Sequence, residues 1–150
     1  MIDLTKFAKK IIFFVVVVLG FVPVNASEKN YLIISNERSN ELTILTHSGD
    51  FIRSVETCGR PRGMHLSSTR RSFYVGCADD DLILEYELDT FKVLTRFTNI
   101  WAPETFDLSP DGASLYISNE EDAVTSVLDI ETGEIIATYE TGEEPEGVQF

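Results

Sequence analysis

A single period constrains this chain more than any other feature. Pro61, Pro103 and Pro145 stand 42 residues apart, and Leu66, Leu108 and Phe150 follow them at the same offset. FYVGCADDDLILEYELDTFKVLTRF (73–97) runs without a gap against LYISNEEDAVTSVLDIETGEIIATY (115–139), matching Tyr74 to Tyr116 and Thr90 to Thr132. An earlier unit, LIISNERSNELTILTHSGDFIRSV (32–55), joins with a slip of one residue, since Ser35-Asn36 and Ser118-Asn119 lie 83 apart. Self-similarity at this spacing means that each unit is one supersecondary module, which buries its apolar faces only by stacking on its neighbours.

Inside a unit the texture is short, alternating runs of β-branched and aromatic residues, which suits half-buried strands. The runs are broken by Ser48-Gly49-Asp50, Ser109-Pro110-Asp111-Gly112 and Glu131-Thr132-Gly133, where glycine supplies positive φ and Asp or Ser closes the turn. No helical period occurs between Ser27 and Phe150. Each unit therefore reads as four strands: A (63–67, 105–109), B (73–77, 115–118), C (82–88, 124–130) and D (92–97, 134–139). Counting from the first unit, which opens at B, gives twelve strands, the last an A strand entered through TGEEPEGVQF (141–150). A four-stranded unit of this length is a β-propeller blade. The expected fold over residues 31–150 is thus all-β, a partial β-propeller of about three four-stranded blades built from 42-residue repeats.

Residues 1–26 lie outside that pattern. Lys6, Lys9 and Lys10 precede an apolar run from Ile11 to Val22, and Val24-Asn25-Ala26 offers small residues for cleavage. This is the layout of a secretory signal peptide; the competing reading is an uncleaved amino-terminal anchor. The remaining residues, 27–150, hold 9 Lys and Arg against 24 Asp and Glu, a net charge of −15. That field repels phosphate, so nucleic acid and anionic lipid are poor partners and none is expected, and membrane contact is expected only through the leader before cleavage. Cys58 and Cys77 would meet an oxidising compartment after export, where a disulfide can form, and their surroundings suggest no metal site.

The sequences YVGCADDD, LSPDG, TGEEPEG and LYISNEEDAVTSVLDIETGEIIATY resemble the YVTN-type β-propeller repeat proteins. The combination of SNERSNELTIL, CGRPRG, APETFDLSPDG and EEPEG is most similar to the periplasmic propeller proteins that accompany pyrroloquinoline quinone-dependent alcohol catabolism. The resemblance covers residues 32–150 and implies a seven-bladed ring in intact relatives, of which this chain would be an amino-terminal fragment. It implies no defined chemistry, because a fold of this kind hosts many functions.

Strand polarity sorts the loops. The B–C and D–A connections emerge on one face of the blades and the A–B and C–D connections on the other. The first face gathers Glu37-Arg38, Asp79-Asp80-Asp81 and Glu120-Glu121-Asp122 with the crossings at Arg60-Pro61-Arg62, Trp101 to Glu104 and Glu143 to Glu146. The acids could hold a hard cation, yet no calcium-loop spacing is present, and solvated loop tips explain them as well. Arg60, Arg62, Glu104 and Glu146 fall at a channel mouth. There they either register adjacent blades through ion pairs or form a rim that recognises a partner, with Trp101 as the aromatic anchor. One step along strand A, His65, Asp107 and Gln149 share one direction by strand alternation and are candidate channel-lining residues. A histidine and a carboxylate converging there could act as acid and base, while the plainer reading is polar lining of a wet channel, for no nucleophile accompanies them. His47 lies in a C–D turn on the opposite face.

These readings point to an exported, non-catalytic binding or accessory module without a cofactor. By resemblance its partner would be a periplasmic dehydrogenase or cytochrome. Two alternatives compete: a propeller enzyme, lactonase-like or haem-binding, and a truncated product without a function of its own. Three blades are too few for an ordinary ring of about four to eight, so exposed blade faces would favour self-association.

Overall fold

The computed structural model describes residues 30–67 and 69–150; the expected signal peptide at 1–26 lies outside the described residues. The chain forms three antiparallel sheets in sequence order. The first holds β1 (Tyr31–Asn36), β2 (Glu41–Thr46) and β3 (Phe51–Glu56). The second holds β4 (Pro61–Leu66), β5 (Ser72–Cys77), β6 (Leu82–Glu87) and β7 (Val93–Thr98). The third holds β8 (Pro103–Leu108), β9 (Ser114–Asn119), β10 (Val124–Asp129) and β11 (Ile135–Glu140). Every strand pairs with its neighbour in sequence, so each sheet is a meander, and the whole is an all-β partial propeller of three blades. The A strands open at the repeat prolines, two residues before the expected start. Among the described residues one 3-10 turn, Ala78–Asp80, interrupts the strand pattern, in a B–C loop.

One expectation fails. The described residues contain eleven strands and not twelve, because residues 145–150 lie beside β8 without joining a ladder. Strand B supplies the ladder partner of every A strand: β4 pairs with β5 and β8 with β9. Residues 145–150 have the composition of an A strand and no B strand alongside.

The core lies between the sheets. Residues opposed across a ladder share a face, so Phe73 with Tyr86 and Val75 with Leu84 form one face of the second blade. They pack with Leu42, Ile44 and Phe91 against the first blade. The other face presents Tyr74 and Ile83 to Phe106, Leu108, Leu115, Ile117 and Leu128 of the third blade. Phe73 and Tyr86 stack at 5.2 Å between centroids, which adds to their burial. The outward faces of the end blades keep apolar residues exposed, Leu32 and Ile34 on β1 and Ile136 and Tyr139 on β11.

The repeat extends to backbone shape. Gly49, Phe91 and Gly133 occupy the same C–D turn position, 42 residues apart, with φ of 91°, 59° and 73°. A bulky side chain there is strained, and Phe91 accepts it to bury its ring between Phe73 and Tyr31 at the first blade junction. Arg53 lies over that ring at 4.8 Å and donates to the Thr90 carbonyl at 2.9 Å. At the D–A crossings, Arg60, Ala102 and Glu144 likewise share positive φ of 50°, 35° and 52°.

Candidate functional site

The innermost strands β4 and β8 run side by side, and β4 also packs against β1. Three kinds of contact join the blades there. Where the repeat supplies hydroxyls, side chains bridge: Ser35 donates to the Arg62 carbonyl at 2.9 Å, and Thr105 donates to the Glu146 carbonyl at 3.3 Å. At the middle junction glycines stand in their place. A Cβ on Gly63 would lie 2.8 Å from the Glu104 carbonyl oxygen and one on Gly76 3.1 Å from that of Pro103, so the backbones approach directly.

Ion pairs form the second kind. Glu37 accepts both Arg60 and Arg62 at 3.4 Å, and Arg62 also pairs with Glu104. Glu104 is 4% exposed, so its carboxylate is sealed between the blades with Arg62 as its counterion. A buried charge requires such a partner. The rim charges of the first two crossings thus join the blades, whereas the side chain of Glu146 is exposed and only its carbonyl is engaged.

The third kind unites two of the three channel-lining candidates. His65 Nδ1 lies 3.3 Å from Asp107 Oδ1, and Asp107 Oδ2 accepts the Phe150 backbone N–H at 2.8 Å. His65 and Asp107 therefore each reach forward to the next innermost segment. Gln149 does not join them; it is exposed, and its neighbour Phe150 makes the contact and sets its ring edge-on to Tyr116 at 5.1 Å. Asp107 is held below the usual carboxylate range first by the Phe150 N–H, then by the Leu108 N–H and the charge of His65. His65 also borders a cleft of 380 Å³ between β1 and β4, walled by Tyr31, Ile33, Met64 and Leu66.

Cys58 and Cys77 are joined by a disulfide with Cα atoms 5.7 Å apart, pinning the first D–A crossing to the end of β5. The loop acids are used locally. Asp80 Oδ2 accepts the Gly59 N–H at 2.8 Å, and Asp81 Oδ1 accepts the Ala102 N–H at 2.9 Å. Among the described residues no group of three or more His, Cys, Asp or Glu could hold a metal ion. Trp101 is 63% exposed beside this rim.

One polar site escaped the sequence reading. Glu85, 2% exposed, accepts Ser72 Oγ at 2.8 Å and Thr95 Oγ1 at 3.0 Å, with the Arg70 guanidinium 3.7 Å away. Burial raises the Tyr74 hydroxyl above the ordinary phenol range, and the Glu85 charge adds to the rise. The signal was available: the repeat-equivalent positions hold Ile44 and Val127, so a carboxylate there breaks the apolar pattern.

Blades, inner rim and sheet order together define a propeller-like all-β protein. No family model matches the chain, and no curated protein matches it either. Solved structures do: 596 chains match, so the fold is common and carries no function by itself. One of them is the hydrazine synthase of Kuenenia stuttgartiensis, with a TM-score of 0.68 and 19% identity over 78% of this chain. The chain spans about a third of the length of that protein, 34%. At such identity the likeness is one of fold alone.

Proposed function

We propose that the protein is an exported, periplasmic accessory module of the YVTN-type propeller kind, which binds a protein partner and carries out no chemistry. The observation that supports this reading best is Trp101, exposed to 63% at the rim while the adjoining charges are spent on joining blades. A large, rigid aromatic side chain left in solvent beside a fixed backbone is the usual anchor of an interface. The sequence resemblance directs the partner to a dehydrogenase or cytochrome of quinone-dependent alcohol oxidation, and the net charge of −15 over residues 27–150 favours a basic contact surface on it. Mild crosslinking and pull-down of the tagged, exported chain should recover such a protein, and Trp101→Ala should weaken its capture about thirtyfold, the scale of an interface hot spot. Equal capture by both forms, or no partner with either, overturns the proposal.

A second reading rests on His65, which meets Asp107 and faces the 380 Å³ cleft. A propeller lactonase using this pair would lose turnover in His65→Ala and in Asp107→Asn. Unchanged turnover in both removes the pair from catalysis, and a haem-binding form would show a Soret band in the purified protein.

A further inference from the structure

The repeat shows where the junction between the second and third blades has given up packing. Ser126 stands where the second blade has Leu84, Asn119 where it has Cys77, and Thr138 where it has Arg96. At the first junction Leu84 and Cys77 are buried with Cys58, and Leu82 packs against that cluster. At the second junction the shorter, polar side chains leave a cleft of 440 Å³, lined by residues between 99 and 138. Ile100, Val124 and Ile135 supply its apolar lining, and Trp101, Asn119 and Asp122 its aromatic and polar lining. Ligand sites have this size, about 300–1,000 Å³, and this balance of apolar wall with a few polar groups.

Two of the lining residues have no counterpart at the first crossing. Trp101 replaces Gly59 and its backbone is fixed: Asn119 Nδ2 donates to the Trp101 carbonyl, and Ser126 Oγ donates to Asn119 Oδ1 at 2.7 Å. Asp122 stands where the first crossing has Asp80, which accepts the Gly59 N–H at 2.8 Å. The Asp122 carboxylate has no hydrogen bond or ion pair among the described residues, so its charge is open to a ligand.

We propose that this cleft takes an arginine side chain of the protein partner; the proposal rests on the partner reading above and names the group that Trp101 receives. A guanidinium is planar, stacks on an aromatic face and pairs with a carboxylate. Its aliphatic stem buries along apolar surface, here Ile100, Val124 and Ile135. No lysine, arginine or histidine lines the cleft, and residues 27–150 carry a net charge of −15, so an anionic group is repelled.

Trp101 is the only tryptophan of the chain, so its fluorescence reports on the cleft directly. The probe is N-acetylarginine amide titrated into the full chain, with N-acetylcitrulline amide as the uncharged counterpart of similar shape. The arginine probe should change Trp101 emission saturably, with half-saturation at about 1 mM, and the citrulline probe should bind about tenfold more weakly. Thr138→Arg sets on the exposed side of the cleft the residue that the second blade has there, a resident guanidinium that should weaken probe binding about tenfold. Asp122→Asn should weaken it about fivefold at low ionic strength and less in high salt. Circular dichroism verifies that both variants fold. No saturable change, equal binding of the two probes, or parent-like binding by Thr138→Arg would overturn the proposal. Capture of a partner through Trp101 without a response to the arginine probe overturns this proposal alone, whereas a response without capture supports the cleft and overturns the partner reading alone.

Discussion

Two crossings in this molecule solve one problem with different chemistry. Each carries the chain from an outer strand to the next innermost strand and must be fastened to the end of strand B. At the second crossing a buried amide does this: Asn119 Nδ2 donates to the Trp101 carbonyl while its Oδ1 accepts Ser126 Oγ at 2.7 Å. At the first crossing the repeat-equivalent residue is Cys77, and the fastening is its bond to Cys58, whose own equivalent is the buried Ile100. A second clamp is shared by both. Asn40 Oδ1 accepts the Arg60 N–H at 3.1 Å and Asp81 Oδ1 accepts the Ala102 N–H at 2.9 Å. The disulfide therefore occupies the place of a hydrogen bond in the repeat, and it constrains the unfolded chain as the hydrogen bond does not.

Breaking the covalent fastening should have the largest effect. Cys58→Ser with Cys77→Ser opens a link between residues 19 apart and should lower unfolding free energy by about 2–4 kcal/mol in a denaturant titration. Reductant should lower the unmodified protein by a similar amount and leave the double variant unaffected. Grafting the other solution, Cys58→Ile with Cys77→Asn, should recover part of the loss and make stability independent of reductant. If the graft is no better than the serine pair, the two crossings are not equivalent. Asn119→Ala comes next, at about 1–3 kcal/mol, because it leaves the Trp101 carbonyl and the Ser126 hydroxyl without their partner in a buried setting.

The comparison also shows what a sequence can disclose. Blade number, strand order and the pairing of repeat-equivalent residues were legible because the period of 42 is carried by prolines and large apolar residues that must superpose to fill a common core. Strand alternation and the repeat give His65, Asp107 and Gln149 one shared direction; His65 and Asp107 meet, and Gln149, placed by the same rule, does not. What stayed hidden depended on depth and partnership. Glu104 reads as a rim charge, yet it is sealed beside Arg62, because the close approach at Gly63 brings β4 and β8 together over it. Glu85 interrupts an otherwise apolar repeat position, yet only the fold shows that it is buried among hydroxyls, since strand C is covered on both faces. The absent twelfth strand has the same origin: its residues carry the right pattern, but a strand also needs an edge to pair with.

The third crossing sharpens the contrast at the low end of the scale. Residues 145–150 are fastened from the side, through Thr105 and Asp107 of β8. The Asp107 pKa is depressed in the folded state, mainly by the Phe150 N–H, so folding favours its ionised form. That contribution is complete above the unfolded carboxylate value of about 3.9 and fades as pH falls through the lower folded value. Asp107→Asn should therefore cost under about 1 kcal/mol at neutral pH, with the difference from the parent shrinking in acid. Asp111 and Asp129 are depressed too, by turn hydrogen bonds to Ser109 and Thr132 that the substitution leaves untouched. Acid unfolding of parent and variant side by side thus isolates the Phe150 link. Parallel curves from pH 7 to pH 2 would mean that the last crossing is held by Thr105 and the Tyr116–Phe150 ring contact without help from the carboxylate.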